Sequence, residues 1–369
     1  MGYRVSVDVG GTFTDVVAFD ERTKRITTTK TPSTKDQSVG AINGINKLAD
    51  ELGIQGKDIS YLIHGTTVAT NGLLERKGAK TALITTKGFK DILEIGDQTR
   101  PSLYDFWAKR PRPLVPRYLS FEVQERILWD GSIEEKLDEE EAKRVVGKLK
   151  EHGVESVAIS FLNSYANPAN EKKMKEILSG AELYISISSE VLPEIREYER
   201  TSTTVINAYL MPRVYAYLNS LEERKRKSGI PAQLHVMQSN GGIMGVKAAT
   251  ERSVHTVFSG PAGGVLAGMH IAKLIDESDV ITLDMGGTSA DIALIENGKP
   301  RFTAEGGLAG FPIRVPMMEI HTIGAGGGSI GWVDAGGALR IGPRSAGADP
   351  GPACYNKGGD EPTVTDAHL

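Results

Sequence analysis

The chain has 369 residues, enough for about two domains, and 40% of them are apolar, enough for buried cores. The net charge of -4, with no longer run of like charges than the acidic stretch 138–141, argues against a nucleic-acid partner. No apolar run approaches the roughly 18 residues of a membrane span, and a single cysteine, Cys354, excludes an internal disulfide. Because the N-terminus has no signal-like segment, the sequence predicts a cytoplasmic protein.

Strands and helices alternate along the first half of the chain. Short apolar runs predict strands at residues 3–9, 14–19, 25–31, 60–64, 81–85, 156–161 and 183–186. Apolar residues at helical spacing predict helices at residues 35–52, 68–76, 137–152 and 167–179. Segments 121–127 and 134–136 are predicted to form a hairpin around the turn dipeptide Asp130-Gly131.

An irregular segment, residues 89–116, interrupts this alternation. It is rich in proline, arginine and aromatic residues, and it is too long for a simple connection. A surface excursion and an insertion on the substrate side explain it equally well. Within it, residues 94–100 are a weak candidate for the wall of a substrate site.

The second half of the chain repeats the alternation. Residues 191–227 are strongly helical, with a break predicted near Pro212. Strands are predicted at residues 234–237, 280–284 and 292–295, and a helix at residues 261–275. The pattern predicts an α/β protein of two domains, residues 1–195 and 196–369, with mostly central sheets. A cleft between two such domains is where a ligand is expected.

The chain contains an internal repeat. Residues 8–15 read Asp-Val-Gly-Gly-Thr-Phe-Thr-Asp, and residues 284–291 read Asp-Met-Gly-Gly-Thr-Ser-Ala-Asp. The first Asp, the Gly-Gly-Thr and the last Asp coincide in register, and each copy lies between two apolar runs. Each copy is therefore predicted to be a strand–turn–strand hairpin.

The residue types of the repeat suit phosphate binding. Paired glycines let backbone N–H groups approach phosphate oxygens without a Cβ in the way, and threonine adds a hydroxyl donor. Asp8 or Asp284 can hold the hydration shell of Mg²⁺, which prefers few carboxylates together with waters and substrate phosphates. A tight turn explains a single copy of the motif about as well as phosphate binding does. Two copies in register are hard to obtain from turn chemistry alone. The repeat thus predicts that hairpins from both domains bind ATP and Mg²⁺.

Two further glycine clusters follow the first half of the chain. Gly324-Ala-Gly-Gly-Gly-Ser329 comes after a strand-like run and is predicted to lie against adenine or ribose. Matches within it to a dinucleotide motif and to a nucleophile elbow lack the flanking elements that those motifs need. Ser259-Gly-Pro-Ala-Gly-Gly264 opens a predicted helix, where an anion site and plain close packing are both adequate explanations.

In combination these motifs resemble the hydantoinase A / 5-oxoprolinase family, whose members include N-methylhydantoinase A-like proteins and relatives of acetone carboxylase. The resemblance also rests on His64-Gly-Thr-Thr-Val-Ala-Thr-Asn71, Gln238-Ser-Asn-Gly-Gly242 and Gly351-Pro-Ala-Cys-Tyr355. It implies the two-lobed actin-like ATPase (ribonuclease H-like) fold, with central mixed sheets flanked by helices. Family members usually continue well beyond the segment at which this chain stops. The resemblance therefore implies a C-terminally truncated second domain with exposed apolar surface.

The resemblance also implies roles for individual residues. Asp8, Asp284 and His64 are predicted to be catalytic, and Asp8 and Asp284 to hold Mg²⁺, directly or through water. The residues predicted to bind ATP are Gly10, Gly11, Thr12, Thr14, Gly286, Gly287, Thr288, Gly324, Gly326, Gly327 and Gly328. The residues predicted to bind substrate are Thr66, Thr67 and Asn71, for which the alternative is that Thr66 or Thr67 caps a helix. Asp15 and Asp291 are left open as ligands or hairpin caps.

The leading hypothesis is the A-type subunit of an ATP-dependent cyclic amidase. By family resemblance its substrate is a hydantoin, an N-methylhydantoin or 5-oxoproline, the amide oxygen is phosphorylated before water opens the ring, and a separate B-type subunit is the partner. A subunit of an ATP-dependent ketone carboxylase is the alternative within the family. A sugar kinase lacks a signature here, and a nucleotide-switched binding module is the non-enzymatic alternative. No nucleic-acid or membrane partner is expected, and the oligomeric state, a homo-oligomer included, stays open.

Overall fold

The structure, a computed structural model, describes residues 2–10, 13–34, 36–347 and 349–369. Packing divides the chain into two compact units, Met1–Ser259 with Ala304–Met317 and Gly260–Thr303 with Met318–Leu369. This division does not fall at residue 195, because the long helix that follows this position packs entirely within the first unit. A domain boundary near residue 195 stays a prediction.

The described residues form strands and helices throughout both units. The strands are β1 Tyr3–Val9, β2 Phe13–Asp20, β3 Ile26–Pro32, β4 Ile59–Thr66, β5 Thr81–Thr86, β6 Ser120–Val123, β7 Arg126–Ile127, β8 Ile133–Glu135, β9 Ser156–Ser160, β10 Tyr184–Ile187, β11 Leu234–Met237, β12 Ile243–Gly245, β13 Val280–Met285, β14 Ala290–Glu296, β15 Lys299–Pro300, β16 Phe302–Thr303, β17 Gly306–Leu308, β18 Phe311–Ile313, β19 Met317–Met318, β20 Ile320–Ile323, β21 Ser329–Val333 and β22 Leu339–Ser345. The helices are α1 Gln37–Leu52, α2 Val68–Leu74, α3 Ile92–Ile95, α4 Glu139–Glu151, α5 Ala169–Leu178, α6 Ser188–Val191, α7 Glu197–Lys227, α8 Val246–Glu251, α9 Ser259–Leu274 and α10 Val364–Ala367.

A six-stranded mixed sheet, in the order β12-β11-β4-β1-β2-β3, positions the first copy of the repeat. Strand β1 is antiparallel to β2 and parallel to β4. Because side chains alternate along a strand, Val5, Val7 and Val9 are buried against α1, while Asp8 is exposed. Helix α1 begins at Asp36, whose side chain accepts a hydrogen bond from the Ser38 backbone N–H.

A second sheet of the first unit, in the order β10-β9-β5-β6, has only parallel neighbours. Strand β6 belongs to this sheet, and only β7 pairs with β8 around Asp130-Gly131. The predicted hairpin of residues 121–127 and 134–136 was therefore wrong in part, because residues 121–123 pair in parallel with β5. Strand β6, Ser-Phe-Glu-Val, lies at the edge of the sheet and alternates polar with apolar residues as a hairpin strand does. Its periodicity therefore does not separate a parallel from an antiparallel partner.

Helix α7 packs on this sheet, on α1 and on α2. It runs unbroken for 31 residues through Pro212, so the predicted break was wrong. A proline inside a helix removes one hydrogen bond and costs about 3 kcal/mol. Every residue from Arg200 to Met211 is buried, and this tertiary packing offsets the local cost.

The second unit contains a smaller sheet. Strand β14 is antiparallel to β13 on one side and to β15 and β20 on the other. Helix α9 packs against this sheet through Ala262 and Val265. Strand β13 exposes Ile281, Leu283 and Met285 along its length, so its outward surface is apolar. No described helix has the length and hydrophobicity of a membrane span.

Candidate active site

The first copy of the repeat is a hairpin between β1 and β2. Asp8 faces Asp15 across the strand pair, and the Gly10 backbone N–H donates to the Phe13 carbonyl at 3.0 Å to close the turn. The predicted ATP ligands Gly11 and Thr12 lie outside the described residues. The hairpin predicted from sequence is confirmed, and it leaves Asp8 at the end of a strand.

The second copy has the same strand pairing and the same flanking hydrogen bond in the second unit. Asp284 faces Asp291, and the Gly286 backbone N–H donates to the Ser289 carbonyl at 2.9 Å. The turn bond therefore joins the same positions in both copies, two and five residues after the first Asp. Repetition of the same strand pairing and the same flanking bond around the same residue types favours a shared role over two unrelated tight turns.

Each first aspartate lies beside a glycine of a neighbouring element. A Cβ added to Gly65, which faces Asp8 from β4, would lie 2.9 Å from Asp8 Oδ1. A Cβ added to Gly264 in α9 would lie 3.7 Å from Asp284 Oδ2. Both carboxylates are exposed, so the space beside them suits a hydrated cation. The residues fit Mg²⁺, although a role in metal binding stays a prediction for both.

Thr14 is turned into the protein. Its side chain is fully buried and hydrogen bonds to Ser33 Oγ at 3.1 Å, while Ser33 Oγ donates to the Gly10 carbonyl at 2.8 Å. Because Ser33 uses its one proton on that carbonyl, Thr14 is the donor in the other bond. Thr14 therefore supports the turn from behind, and a direct contact with ATP stays a prediction.

The two closing aspartates have partners of their own. Asp15 forms an exposed ion pair with Lys30 at 3.2 Å, and Asp291 accepts a hydrogen bond from Thr322 Oγ1 at 2.6 Å. Each partner lies on the strand next to the hairpin. These contacts favour the hairpin-cap alternative for both residues.

The glycine cluster 324–328 packs on the turn of the second hairpin. Gly327 and Gly328 donate their backbone N–H groups to the Gly286 and Gly287 carbonyls, at 2.9 and 2.7 Å. A Cβ added to Gly326 would lie 2.6 Å from the backbone of that same turn. Protein backbone thus accounts for the close approach that the sequence attributed to adenosine. Contacts of Gly324, Gly326, Gly327 and Gly328 with ATP stay predictions.

His64 is a buried residue of β4. Its Nδ1 lies 3.2 Å from the Val7 carbonyl, and its Nε2 lies 2.7 Å from the Tyr217 hydroxyl. Burial lowers the pKa of His64 to about 4 and raises the pKa of Tyr217. The neutral ring therefore donates from Nδ1 and accepts from the Tyr217 hydroxyl. These bonds fit a positioning residue that joins β4 to α7, and a catalytic role for His64 stays a prediction.

Thr66, Thr67 and Asn71 lie together where β4 passes into α2. Thr66 Oγ1 accepts from the Val68 N–H at 3.2 Å, and the Thr66 carbonyl accepts from Ser259 Oγ at 3.0 Å. Thr67 Oγ1 donates to the Val9 carbonyl at 3.2 Å and accepts from Asn71 Nδ2 at 3.3 Å. Thr67 is the N-cap residue of α2 but makes no capping bond. Of the two threonines, only Thr66 therefore caps α2, because its hydroxyl accepts from the backbone N–H of the first helical residue, Val68.

The pKa of His64 predicts how stability depends on pH. The unfolded imidazole, with a pKa of about 6.5, takes up a proton below that pH, whereas the folded ring stays neutral down to about pH 4. Acidification therefore destabilises the fold, by roughly 1 kcal/mol between pH 7 and 5.5. Replacing His64 with glutamine, which can make both bonds without titrating, is expected to reduce the loss by that amount. Urea unfolding at the two pH values checks this, and equal losses in both proteins would contradict it.

Two sequence models of one family match nearly the whole chain. The hydantoinase/oxoprolinase N-terminal region matches residues 4–181, and the hydantoinase/oxoprolinase model matches residues 200–369. The chain belongs to the hydantoinase/oxoprolinase family. The resemblance inferred from the motifs is thereby confirmed.

Several family members are similar to this chain over its full extent. Caprolactamase subunit alpha from Pseudomonas jessenii is 42% identical, with 100% of this chain and 54% of the relative covered. The 5-oxoprolinase of Saccharomyces cerevisiae is 35% identical, with 99% of this chain and 31% of the relative covered. The first curated relatives are covered to between 52% and 56%, so the chain spans about half of their length.

Solved structures of the family support the fold. The ATP-dependent caprolactamase from P. jessenii has a TM-score of 0.88 at 41% identity, covering 99% of this chain and 54% of that chain. Nucleotide-free acetone carboxylase has a TM-score of 0.83 at 27% identity, covering 100% of this chain and 54% of that chain. With the mixed sheets flanked by helices, these similarities confirm the predicted α/β fold of actin-like ATPase type.

For three residues of this hydantoinase/oxoprolinase chain, the sequence gave no sign that they contact the segment from His64 to Asn71. Tyr217 and Gln37 reach the His64–Asn71 segment from α7 and α1, and Ser259 bonds to Thr66 from 193 residues away. Tyr217 looks like an ordinary core residue of an amphipathic helix, and Gln37 like a surface residue at a helix start. Ser259 stood within a motif for which an anion site and plain close packing were both open, and neither explanation predicted its contact with β4.

Proposed function

We propose that this chain is the A-type component of an ATP-dependent cyclic amidase. The observation that carries the proposal is the repeated hairpin, with the same strand pairing, the same flanking bond and one exposed aspartate in each copy. The names of two relatives support it, because caprolactam and 5-oxoproline are both cyclic amides. The proposed substrate is a hydantoin, an N-methylhydantoin or 5-oxoproline, and the net products are the ring-opened acid, ADP and phosphate.

Phosphate binding is proposed for the turn of each hairpin, and Mg²⁺ binding for Asp8 and Asp284. Each carboxylate is exposed at a strand end beside a glycine, which supports an outer-sphere role in holding a hydrated cation. When bound, Mg²⁺ would neutralise charge on the polyphosphate. The protein's proposed part is to position the carboxylates and N–H groups, and the antiparallel pairing of β1 with β2 and of β13 with β14 supports this.

A ketone carboxylase subunit is the second candidate. The similarity to the acetone carboxylase structure supports it, because transfer of phosphate to bicarbonate would need the same phosphate-binding parts. A nucleotide-switched binding module is a third, non-enzymatic candidate. An ATP-dependent change in partner binding without turnover would favour the third candidate over the other two.

A substrate panel separates these functions. ATP hydrolysis is measured with hydantoin, N-methylhydantoin, 5-oxoproline, acetone with bicarbonate, or no addition, in the presence and absence of a B-type subunit. The cyclic amidase proposal expects ATP loss to follow a cyclic amide and to match the ring-opened product in amount. Coupling to acetone would establish the carboxylase instead, and ATP loss that follows none of these additions would contradict both.

A B-type subunit is proposed as the partner. Relatives are named as subunits, and the first unit exposes a run of large apolar side chains in the irregular segment. Leu103, Tyr104, Phe106 and Trp107 are 75%, 94%, 80% and 88% exposed. Clustered aromatic residues of this kind are typical of protein interfaces.

Replacing Phe106 and Trp107 together with serine is expected to weaken binding of the B-type subunit by about tenfold or more. The change removes two apolar anchors without touching the core. Trp129→Ser is a matched control, since Trp129 is 80% exposed elsewhere in the first unit. Affinity measured by surface plasmon resonance checks the prediction. Equal affinities of the double variant and the control would rule out this segment as the interface.

The predicted cytoplasmic location is kept as a proposal. The exposed free thiol of Cys354 supports it, because reducing compartments preserve such thiols.

A further inference from the structure

A polar cavity of about 550 Å³ lies in the first unit, next to the end of β1. Three helices wall it, and each contributes one face or end. Gln37 comes from the start of α1, and Val68 and Asn71 come from one face of α2, with Glu75 as the residue that ends it. Arg213 and Tyr217 come from adjacent turns of α7. Its volume is within the range of about 300–1,000 Å³ for small-molecule sites.

Two carboxamide side chains are fixed side by side in this cavity. Asn71 Nδ2 and Gln37 Nε2 both donate to Thr67 Oγ1, at 3.3 and 3.5 Å. Thr67 Oγ1 in turn donates to the Val9 carbonyl at 3.2 Å, one residue from Asp8 on β1. Within the described residues each carboxamide keeps its carbonyl oxygen and one N–H without a partner. The cavity therefore offers paired neutral donors and acceptors close to the first phosphate-binding hairpin.

The charged side chains of the cavity are engaged elsewhere. Arg213 Nη1 donates to the Lys77 carbonyl at 3.1 Å, and Lys77 forms an ion pair with Glu75 at 2.8 Å. Asp36 pairs with Arg224 at 2.9 Å. These ion pairs neutralise the carboxylates of Glu75 and Asp36, whereas the contact of Arg213 with a carbonyl leaves its positive charge in place. The rim therefore suits a polar ligand that is neutral, as hydantoin is, or that carries a carboxylate, as 5-oxoproline does.

A small-ring amide matches the free groups of a carboxamide. The ring holds the amide cis, so its N–H and C=O lie on the same side, whereas linear secondary amides are trans by about 2.5 kcal/mol or more. A primary carboxamide also has a C=O and an N–H side by side, and it can form two parallel hydrogen bonds with a cis-amide. A trans-amide can form only one of them at a time.

We propose that this cavity binds the cyclic amide substrate and that Asn71 and Gln37 select it by its cis-amide. The proposal rests on the proposed function and adds the mode of recognition and the residue Gln37. It makes the two side chains specificity-determining residues. Thr67 ties them to β1, which fixes the ring relative to the first hairpin.

Direct binding tests this without turnover. Hydantoin and 5-oxoproline are titrated into the chain by calorimetry, with linear N-methylacetamide as the trans control. Asn71→Asp and Gln37→Glu keep the side-chain shape but remove the N–H donors, and each is expected to weaken cyclic amide binding by about tenfold. N-methylacetamide is expected to bind at least tenfold more weakly than hydantoin. Asn219→Asp, on the exposed face of α7, is the matched control and should bind like the wild type.

The outcomes separate this inference from the proposed function. Unchanged affinity in both variants at unchanged melting temperature, equal binding of the linear amide, or no cyclic amide binding by the wild-type chain would each overturn the inference. If cyclic amides still stimulate ATP hydrolysis in that case, the proposed function stands without it. If the wild type binds cyclic amides and the variants do not, yet no ATP turnover occurs with any of them, the inference stands and the proposed function fails.

Discussion

Replacing Asp8 with asparagine is expected to lower Mg²⁺-dependent ATP hydrolysis on the order of a hundredfold while the protein stays folded. Asparagine has the shape of aspartate but not its charge, so it cannot hold the hydration shell of a divalent cation against a polyphosphate. The fold should survive because Asp8 is exposed and points away from the core of valines on β1. Steady-state ATPase assays over a range of Mg²⁺ concentrations, together with thermal unfolding, measure both parts.

The neighbouring carboxylate provides the matched control. Asp15 faces Asp8 across the hairpin and forms an exposed ion pair with Lys30. Such pairs contribute about 0–1 kcal/mol, so Asp15→Asn is expected to leave ATP hydrolysis within about twofold of the wild type. Unaltered hydrolysis in Asp8→Asn would remove Asp8 from the mechanism. Equal losses of ATP hydrolysis in both variants would mean that the total negative charge of the hairpin matters, rather than Asp8 in particular.

Replacing Gly326 with alanine is expected to destabilise the second unit by about 1–3 kcal/mol even without nucleotide. The added Cβ would lie 2.6 Å from both the Gly286 carbonyl oxygen and the Thr288 N–H nitrogen. Backbone atoms of a hydrogen-bonded turn cannot move aside as a flexible side chain does, so the turn of the second hairpin must shift. ATP affinity is expected to fall as well, because Thr288 and its neighbours lose their positions.

A substitution at Gly287, in the same turn, distinguishes the effect of packing on stability from the effect of a contact with the ligand. A Cβ added there meets nothing within 4 Å in the described residues, so Gly287→Ala should leave stability within about 0.5 kcal/mol of the wild type. If its N–H binds phosphate, the new methyl group is expected to weaken ATP binding by about tenfold. Denaturant unfolding without nucleotide and ATP binding by calorimetry measure the pair. A stable Gly326→Ala variant with weakened ATP binding would mean instead that Gly326 faces the nucleotide.

The protonation state and hydrogen bonds of His64 limit the part that it can take in catalysis. Its ring lies between the Val7 carbonyl and the Tyr217 hydroxyl and is neutral at physiological pH. A ring with both nitrogens engaged inside the protein is well placed to fix β4 beside β1. Proton transfer to a substrate would require one of these bonds to open first.

The sequence predicted both hairpins correctly because a hairpin of this kind is specified by residues that are close together in the chain. Asp, Gly-Gly-Thr and Asp at fixed spacing between two apolar runs specify a tight hairpin, and the structure places Asp8 opposite Asp15 and Asp284 opposite Asp291 as expected. Most strands and helices followed from the same kind of local pattern. The predictions failed where distant packing outweighed it, as when burial of α7 carried the helix through Pro212 and when residues 121–123 joined a parallel strand.

The sequence by itself determined the family, the α/β fold class and the two hairpins, because motif spacing and apolar periodicity depend on neighbouring residues. Only the tertiary structure decided which groups surround those motifs. It placed glycines 326–328 against protein backbone and buried His64 between β1 and α7. It also brought Gln37 close to Asn71, which lies 34 positions further along the chain. Such contacts depend on how helices pack on sheets, and no local pattern records them.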